Sequence, residues 1–186
     1  MLLQVRLLEK ETFYDGLQLS PHWIYKNTGL QGNALIAFIG GAHVPLDHMV
    51  DQEDVLKKAP IGSPKMLHFL AEWFIDSLDQ GILLQHLFTS ELYESLLERG
   101  IRDLRKRGND IYYQDRKMSV SIATRSGVSV LMHSAVNIET EGTPIPTSGL
   151  KELGLDPIAF GTSVLERFQS QNKIWSAARV KVSARL

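Results

Sequence analysis

Apolar residues alternate along the opening MLLQVRL, with Leu3, Val5 and Leu7 on one side, and predict a strand. The run ALIAFI (34–39), bounded by Gly32 and the Gly40-Gly41 pair, is continuous rather than alternating and predicts a buried strand. The charged stretch 49–62, MVDQEDVLKKAPIG, closes with Pro60 and Gly62, as an exposed connection does. In SPKMLHFLAEWFIDSLDQG (63–81), Met66, Leu67, Leu70, Trp73, Phe74 and Leu78 follow helical spacing, with His68, Glu72 and Asp79 opposite. Ser63 can cap that helix, Pro64 fits its first turn and Gly81 can end it. TSELYESLLERG (89–100) predicts a second helix starting at Thr89 or Ser90, with Leu92, Leu96 and Leu97 inward and Gly100 at its end.

From Gly108 to Thr140 the period changes to two. The strands IYY, KMSVSIA and VSVLMHSAVNI, separated by QDR and TRSG, read as an antiparallel meander. SGLKELG (148–154) then predicts a short helix, and Asp156 with Pro157 opens a longer one, while the end from Lys173 is ambiguous between helix and strand. Helices mixed with adjacent antiparallel strands predict an α+β fold, with a mainly antiparallel central sheet flanked by helices.

Composition narrows the partners. With 186 residues, 44% hydrophobic and 22% charged, the chain suits a single domain over 1–186 with a sizeable core. A net charge of −1 gives no global attraction to nucleic acid or anionic lipid. No cysteine is present, which excludes disulfides and thiolate chemistry and fits a reducing compartment. The first segment meets charge at Arg6, too early for a membrane span or a secretory core, so cytoplasmic localisation without membrane association is the expectation.

The segment RKRGNDIYYQDRKMSVSIA carries the candidate chemistry. On a regular strand Lys117, Ser119 and Ser121 share one face, and Met118, Val120 and Ile122 the other. A two-residue loop at Gln114-Asp115 would place Tyr112 opposite Lys117 and Asp110 diagonal to the lysine, whereas a three-residue loop would exchange the faces. The next strand has an apolar face of Val128, Val130, Met132, Val136 and Ile138 and a mixed face of Leu131, His133, Ala135 and Asn137. A lysine on the mixed face can hold a carboxylate, phosphate or oxyanion, or it can simply be solvated.

The run RGNDIYYQDRKMSVSIA followed by VSVLMHSAVNI resembles the part of lipoate and biotin protein ligases in which a Gly-x-Asn-Asp segment, an Arg-Lys strand and a small-residue strand end occur in this order. The whole chain, including YDGLQLSPHWIY and MLHFLAEWF, also resembles an uncharacterised prokaryotic family placed in the same superfamily. The resemblance implies the fold shared with class II aminoacyl-tRNA synthetases. By position it implies Lys117 as the catalytic contact to an activated acyl group, Gly108, Asn109 and Asp110 as a nucleotide-side wall, and Ser119 and Ser121 beneath an acyl chain. His133 falls where the ligases carry a His-Gly-rich strand. Val120 stands where the ligases have a glycine and Ser134 where they have the second glycine of that strand. The implied function is binding of a small carboxylate or acyl compound, with acyl transfer or adenylate formation as the reaction. The cofactor is unknown from the sequence, and nucleotide use stays open.

Two alternatives belong to other classes. One is a non-catalytic relative whose pocket has closed and which binds an acidic carrier protein or RNA through the basic run from Arg102 to Arg107; a homo-oligomer is also compatible. The other is a metal-dependent hydrolase using His43, Asp47, His48, Asp51, Glu53 and Asp54. His68 with Glu72 offers a weaker metal pair, and His22 beside Trp23 could orient a ligand ring or anchor a loop.

Overall fold

A computed structural model describes residues 2–59, 61–143 and 145–185. Strands β1 (Gln4–Leu7), β2 (Ala34–Val44), β3 (Ile61–Trp73), β7 (Ser119–Arg125) and β8 (Val130–Glu139) form a sheet in the order β1-β2-β3-β8-β7. β1 runs parallel to β2, and the other pairings are antiparallel. A second sheet contains β4 (Leu104–Arg107), β5 (Asp110–Tyr113) and β6 (Arg116–Lys117). The helices are α1 (Trp23–Thr28), α2 (Gln52–Lys57), α3 (Leu78–Glu98) and α4 (Pro157–Ala178).

The stretch expected as the strongest helix is instead β3, the middle strand of the large sheet. Everything from Met66 to Trp73 is buried. Leu67, Phe69, Ala71 and Trp73 pack with α3 and α4, while Met66 and Leu70 pack with Tyr14, Ile24 and Phe38 on the opposite face. A strand dry on both sides has no polar stripe, so its period disappears and residues of good helix propensity imitate a helix. Gly81, expected to end that helix, lies inside α3, which Ser77 caps by accepting the Gln80 N–H. Thr89 and Ser90 are therefore interior, and their hydroxyls donate to the carbonyls of Gln85 and His86. Leu92 and Leu96 do point inward, and the chain turns at Gly100 (φ +81°).

The expected meander is split between the two sheets, and Leu104–Arg107, within the basic run, forms the edge strand β4 of the smaller one. Residues 150–154 form successive turns rather than a helix, with Leu155 N–H donating to Leu150 O. α4 starts as expected: Asp156 accepts the Ala159 N–H and Pro157 occupies the first turn. It continues through Ala178, so the ambiguous end is helical over residues 173–178 and neither helix nor strand over 179–185. The charged connection follows a short 3₁₀ turn (Leu46–His48) and contains α2; Pro60 lies outside the described residues.

One face of the large sheet thus belongs to α3 and α4. The other is covered by α1, the loop through Tyr14 and the segment around α2, and it holds the polar side chains His68, His133 and Asn137. Gly40 permits the close cover: a Cβ there would lie 1.9 Å from Thr12 O, so only glycine lets the preceding loop cross β2 at this height.

Candidate functional site

The site begins with a hairpin. Gln114 (φ 48°) and Asp115 (φ 61°) are both left-handed, the geometry of a two-residue loop whose twist matches its strands. Asp115 tolerates that conformation readily, and its carboxylate accepts from both Arg105 and Arg107. Tyr112 consequently pairs with Lys117, and the diagonal neighbours meet: Lys117 Nζ lies 2.7 Å from Asp110 Oδ2. Burial, with Asp54 and Asp51 nearby, holds the Asp110 carboxyl above its ordinary range although the Lys117 ammonium pulls the other way.

Beyond Lys117 the regular alternation fails. Met118 lies in the core on the helix side, bonding through its N–H to Ile111 O. Ser119 pairs with Val136 of that same side, while Val120 packs on the opposite one. The break between β6 and β7 therefore turns Ser119 and Ser121 away from Lys117, contrary to the shared face that strict period two implies. Their hydroxyls serve the scaffold: Ser119 accepts the Ile111 N–H, and Ser121 accepts from Gln85 of α3.

Lys117, Asp110 and the mixed face of β8 open onto a cavity of about 550 Å³, a volume suited to a small organic molecule. Asn109, Asp110, Lys117, Ser121 and His133 line it among the expected residues. Gly108 does not; it takes φ +61° in the turn before β5. Asn109 is also a brace, donating to Ser121 O at 2.8 Å. The cavity itself contradicts a pocket closed by Val120 and Ser134, since Val120 is one of its walls. Asp51 and Glu53 reach the cavity from α2, where Asp51 caps the helix and Glu53 pairs with Lys57.

Behind His133 the cavity wall is backed by a ring cluster that the sequence pattern does not show. His68 was expected on a solvated helix face, yet it is buried on β3, with Nε2 3.2 Å from Gly40 O and Nδ1 3.0 Å from His133 Nε2. Phe38 stacks on His68, and Tyr14 stacks on His133 at 3.8 Å between ring centroids. Burial drives the His68 pKa down to about 4, and burial together with His68 holds His133 well below 6.5, so both rings are neutral at pH 7. A tyrosine seven residues after a predicted strand and a histidine mistaken for a helical one cannot be paired by pattern; only the fold joins them.

The other candidates have structural partners. His22 donates its N–H to both oxygens of Glu72, which also accepts the Ser129 hydroxyl, so the His22 loop is anchored on β3. Among the described residues no three His, Asp or Glu side chains converge as a metal site, including the donors from His43 to Asp54. The basic run lies on β4, where Arg105, Lys106 and Arg107 are exposed along an outer strand and discourage edge pairing. No helix among the described residues is long and apolar enough to cross a membrane.

Comparison with known proteins adds a lineage. An uncharacterised protein of Methanocaldococcus jannaschii is 29% identical over 151 residues, 78% of this chain and 68% of that protein. A solved protein of unknown function from Pyrococcus horikoshi is 33% identical, with TM-score 0.95 over 99% of this chain and 100% of its own. A putative lipoate protein ligase from T. acidophilum, also solved with bound lipoic acid, is 16% identical with TM-score 0.60 over 92% of this chain and 85% of its own. A biotin protein ligase from Aquifex aeolicus, in complex with biotin and ATP, is 17% identical with TM-score 0.57 over 91% and 70%. The ligase likenesses show the fold: an α+β lipoate/biotin protein ligase-like architecture. The family described as a domain of unknown function (DUF366) matches residues 3–183, and the chain belongs to it.

Proposed function

We propose that the protein binds a small carboxylate or acyl compound in the cavity beside β6, with Lys117 as its electrostatic anchor. The observation that carries this reading is the position of the Lys117 ammonium: it is a cavity wall group, three-quarters buried, and held in place by Asp110 at 2.7 Å. An ammonium has three donors, so a bond to Asp110 leaves two for a ligand oxygen. Enclosure strengthens that attraction over what a solvated lysine could offer. The bound lipoic acid and biotin of the fold relatives support the class of ligand.

Acyl transfer or adenylate formation is the reaction class this reading favours. Lys117 would stabilise negative charge developing on the acyl oxygen or its leaving group, and Asp110, with a raised pKa, would hold the ammonium in position. Val120 on the cavity wall fills space that a glycine would leave for close approach to the backbone, so the ligand lies against side chains there.

The test is a thermal-shift and calorimetric screen of the full chain against octanoate, lipoate, biotin and their acyl adenylates, together with native mass spectrometry of the purified protein. Binding by at least one compound, abolished in Lys117→Met with the melting temperature preserved, is the expected result. An unchanged ligand response in that variant would overturn the assignment.

A further inference from the structure

The two buried histidines carry a directional signal. Gly40 O can only accept a hydrogen bond, so the contact to His68 requires the proton on His68 Nε2. A neutral His68 then presents a bare Nδ1, and the 3.0 Å contact to His133 Nε2 requires the proton there. His133 Nδ1 is left as a lone pair. Among the described residues no protein donor bonds to it, and His133 lines the cavity. The relay is rigid as well as oriented: His68 lies against Phe38, and His133 lies nearly parallel to Tyr14, with 8° between their planes.

We infer that the cavity selects ligands bearing an N–H or O–H donor at the end remote from the carboxylate, because the backbone-anchored chain from Gly40 through His68 to His133 presents an acceptor nitrogen there. This rests on the proposed carboxylate site at Lys117. Lys117 O accepts from the Asn137 side-chain amide, so the lysine backbone stands beside Asn137, four residues from His133 on β8 and about 13 Å away along a strand, and the ammonium extends from there to Asp110. Lys117 and His133 line the same cavity, so a carboxylate held at the lysine can carry an acyl chain whose other end meets the histidine. An amide, urea or hydroxyl head donates into the lone pair. A saturated ring or methyl terminus leaves the buried acceptor without water or partner, which is the costlier state.

Suberic acid monoamide and suberic acid monomethyl ester separate the ideas, since they share the carboxylate and chain length and differ at the head, where only the amide donates. In titration calorimetry with the full chain the monoamide binds about tenfold tighter than the monoester. His133→Phe, which keeps the ring stacked on Tyr14, equalises the two without abolishing binding. Equal affinities in the wild type, both lost in Lys117→Met, would overturn this inference and leave the carboxylate site standing. Failure of both compounds to bind would instead overturn the carboxylate site. Nitrogen-15 NMR of the imidazoles at pH 7 gives a ligand-free check: His133 must show an unprotonated Nδ1 and a protonated Nε2, and the opposite tautomer refutes the selection outright.

Discussion

Gly81 of α3 packs directly onto Val130 of β8: a Cβ at position 81 would lie 2.2 Å from Val130 Cγ1. The β-branched valine cannot swing aside, since it is itself fully buried at the start of the strand. Gly81→Ala gains about 1 kcal/mol of helix propensity but must push α3 off the sheet. Overpacking of this kind costs about 1–3 kcal/mol, so a net loss of stability in urea unfolding is expected. Adding Val130→Ala makes room, and the double variant should be less destabilised than the sum of the singles. Simple additivity would show that the helix does not touch β8 there.

That contact also explains where the sequence was legible. The edges of the fold were readable, because β1, the β5-β6 hairpin and the start of α4 each carry one wet face or a cap. Asp110 meeting Lys117 followed from a two-residue loop and could be foreseen. β3 could not, since its two buried faces erase the period and Gly81, needed for close packing, looks like a helix stop. The same error placed His68 on a helix, away from His133. The break after Met118 was equally invisible: it changes faces without any glycine or proline to announce it, and it separates Lys117 from Ser119 and Ser121.

Arg167 of α4 reaches three carboxylates of α3, with Nε to Glu91 at 2.6 Å, Nη2 to Glu94 at 2.9 Å and Nη1 to Glu98. The guanidinium is under a third exposed, and a network with this geometry outperforms isolated surface pairs. Arg167→Met should lower stability by about 1–2 kcal/mol, leaving three acids facing one another along the helix. The deficit should shrink at 0.5–1 M salt, on the order of a few ångströms of Debye length. A salt-independent deficit would assign the loss to packing of the aliphatic stem.

The histidine pair makes stability depend on pH in a defined direction. An unfolded histidine titrates near 6.5, whereas burial holds His68 down at about 4 and His133 also below 6.5. The unfolded chain therefore takes up protons that the native state refuses, so stability is fully present above about pH 6.5 and falls as pH drops toward 4. His68 alone accounts for up to roughly 3 kcal/mol of this loss, at about 1.4 kcal/mol per pKa unit. Melting temperatures between pH 7.5 and 4.5 should decline less steeply in His68→Gln, whose amide can still donate to Gly40 O. An unchanged slope would trace the acid sensitivity to other groups.

Asp110 competes with any carboxylate for Lys117. It holds the ammonium at 2.7 Å, and it stands close enough to Asp51 and Asp54 for their charges to raise its own pKa. An incoming anion must therefore share Lys117 with one acid while facing Asp51, Glu53 and Asp54, which line the same cavity. Asp110→Asn keeps the shape, removes the competing charge and frees Lys117 to turn toward the ligand. The affinity for octanoate, measured by titration calorimetry, should rise about five- to tenfold, equivalent to roughly 1 kcal/mol. Lys117→Met should lower it by at least about tenfold, and the double variant should behave like Lys117→Met alone, because the charge removed from Asp110 matters only through the lysine. If Asp110→Asn weakened binding as much as Lys117→Met, the aspartate itself would be the ligand contact, and the polar end of the cavity would accept a donor or a cation in place of a carboxylate.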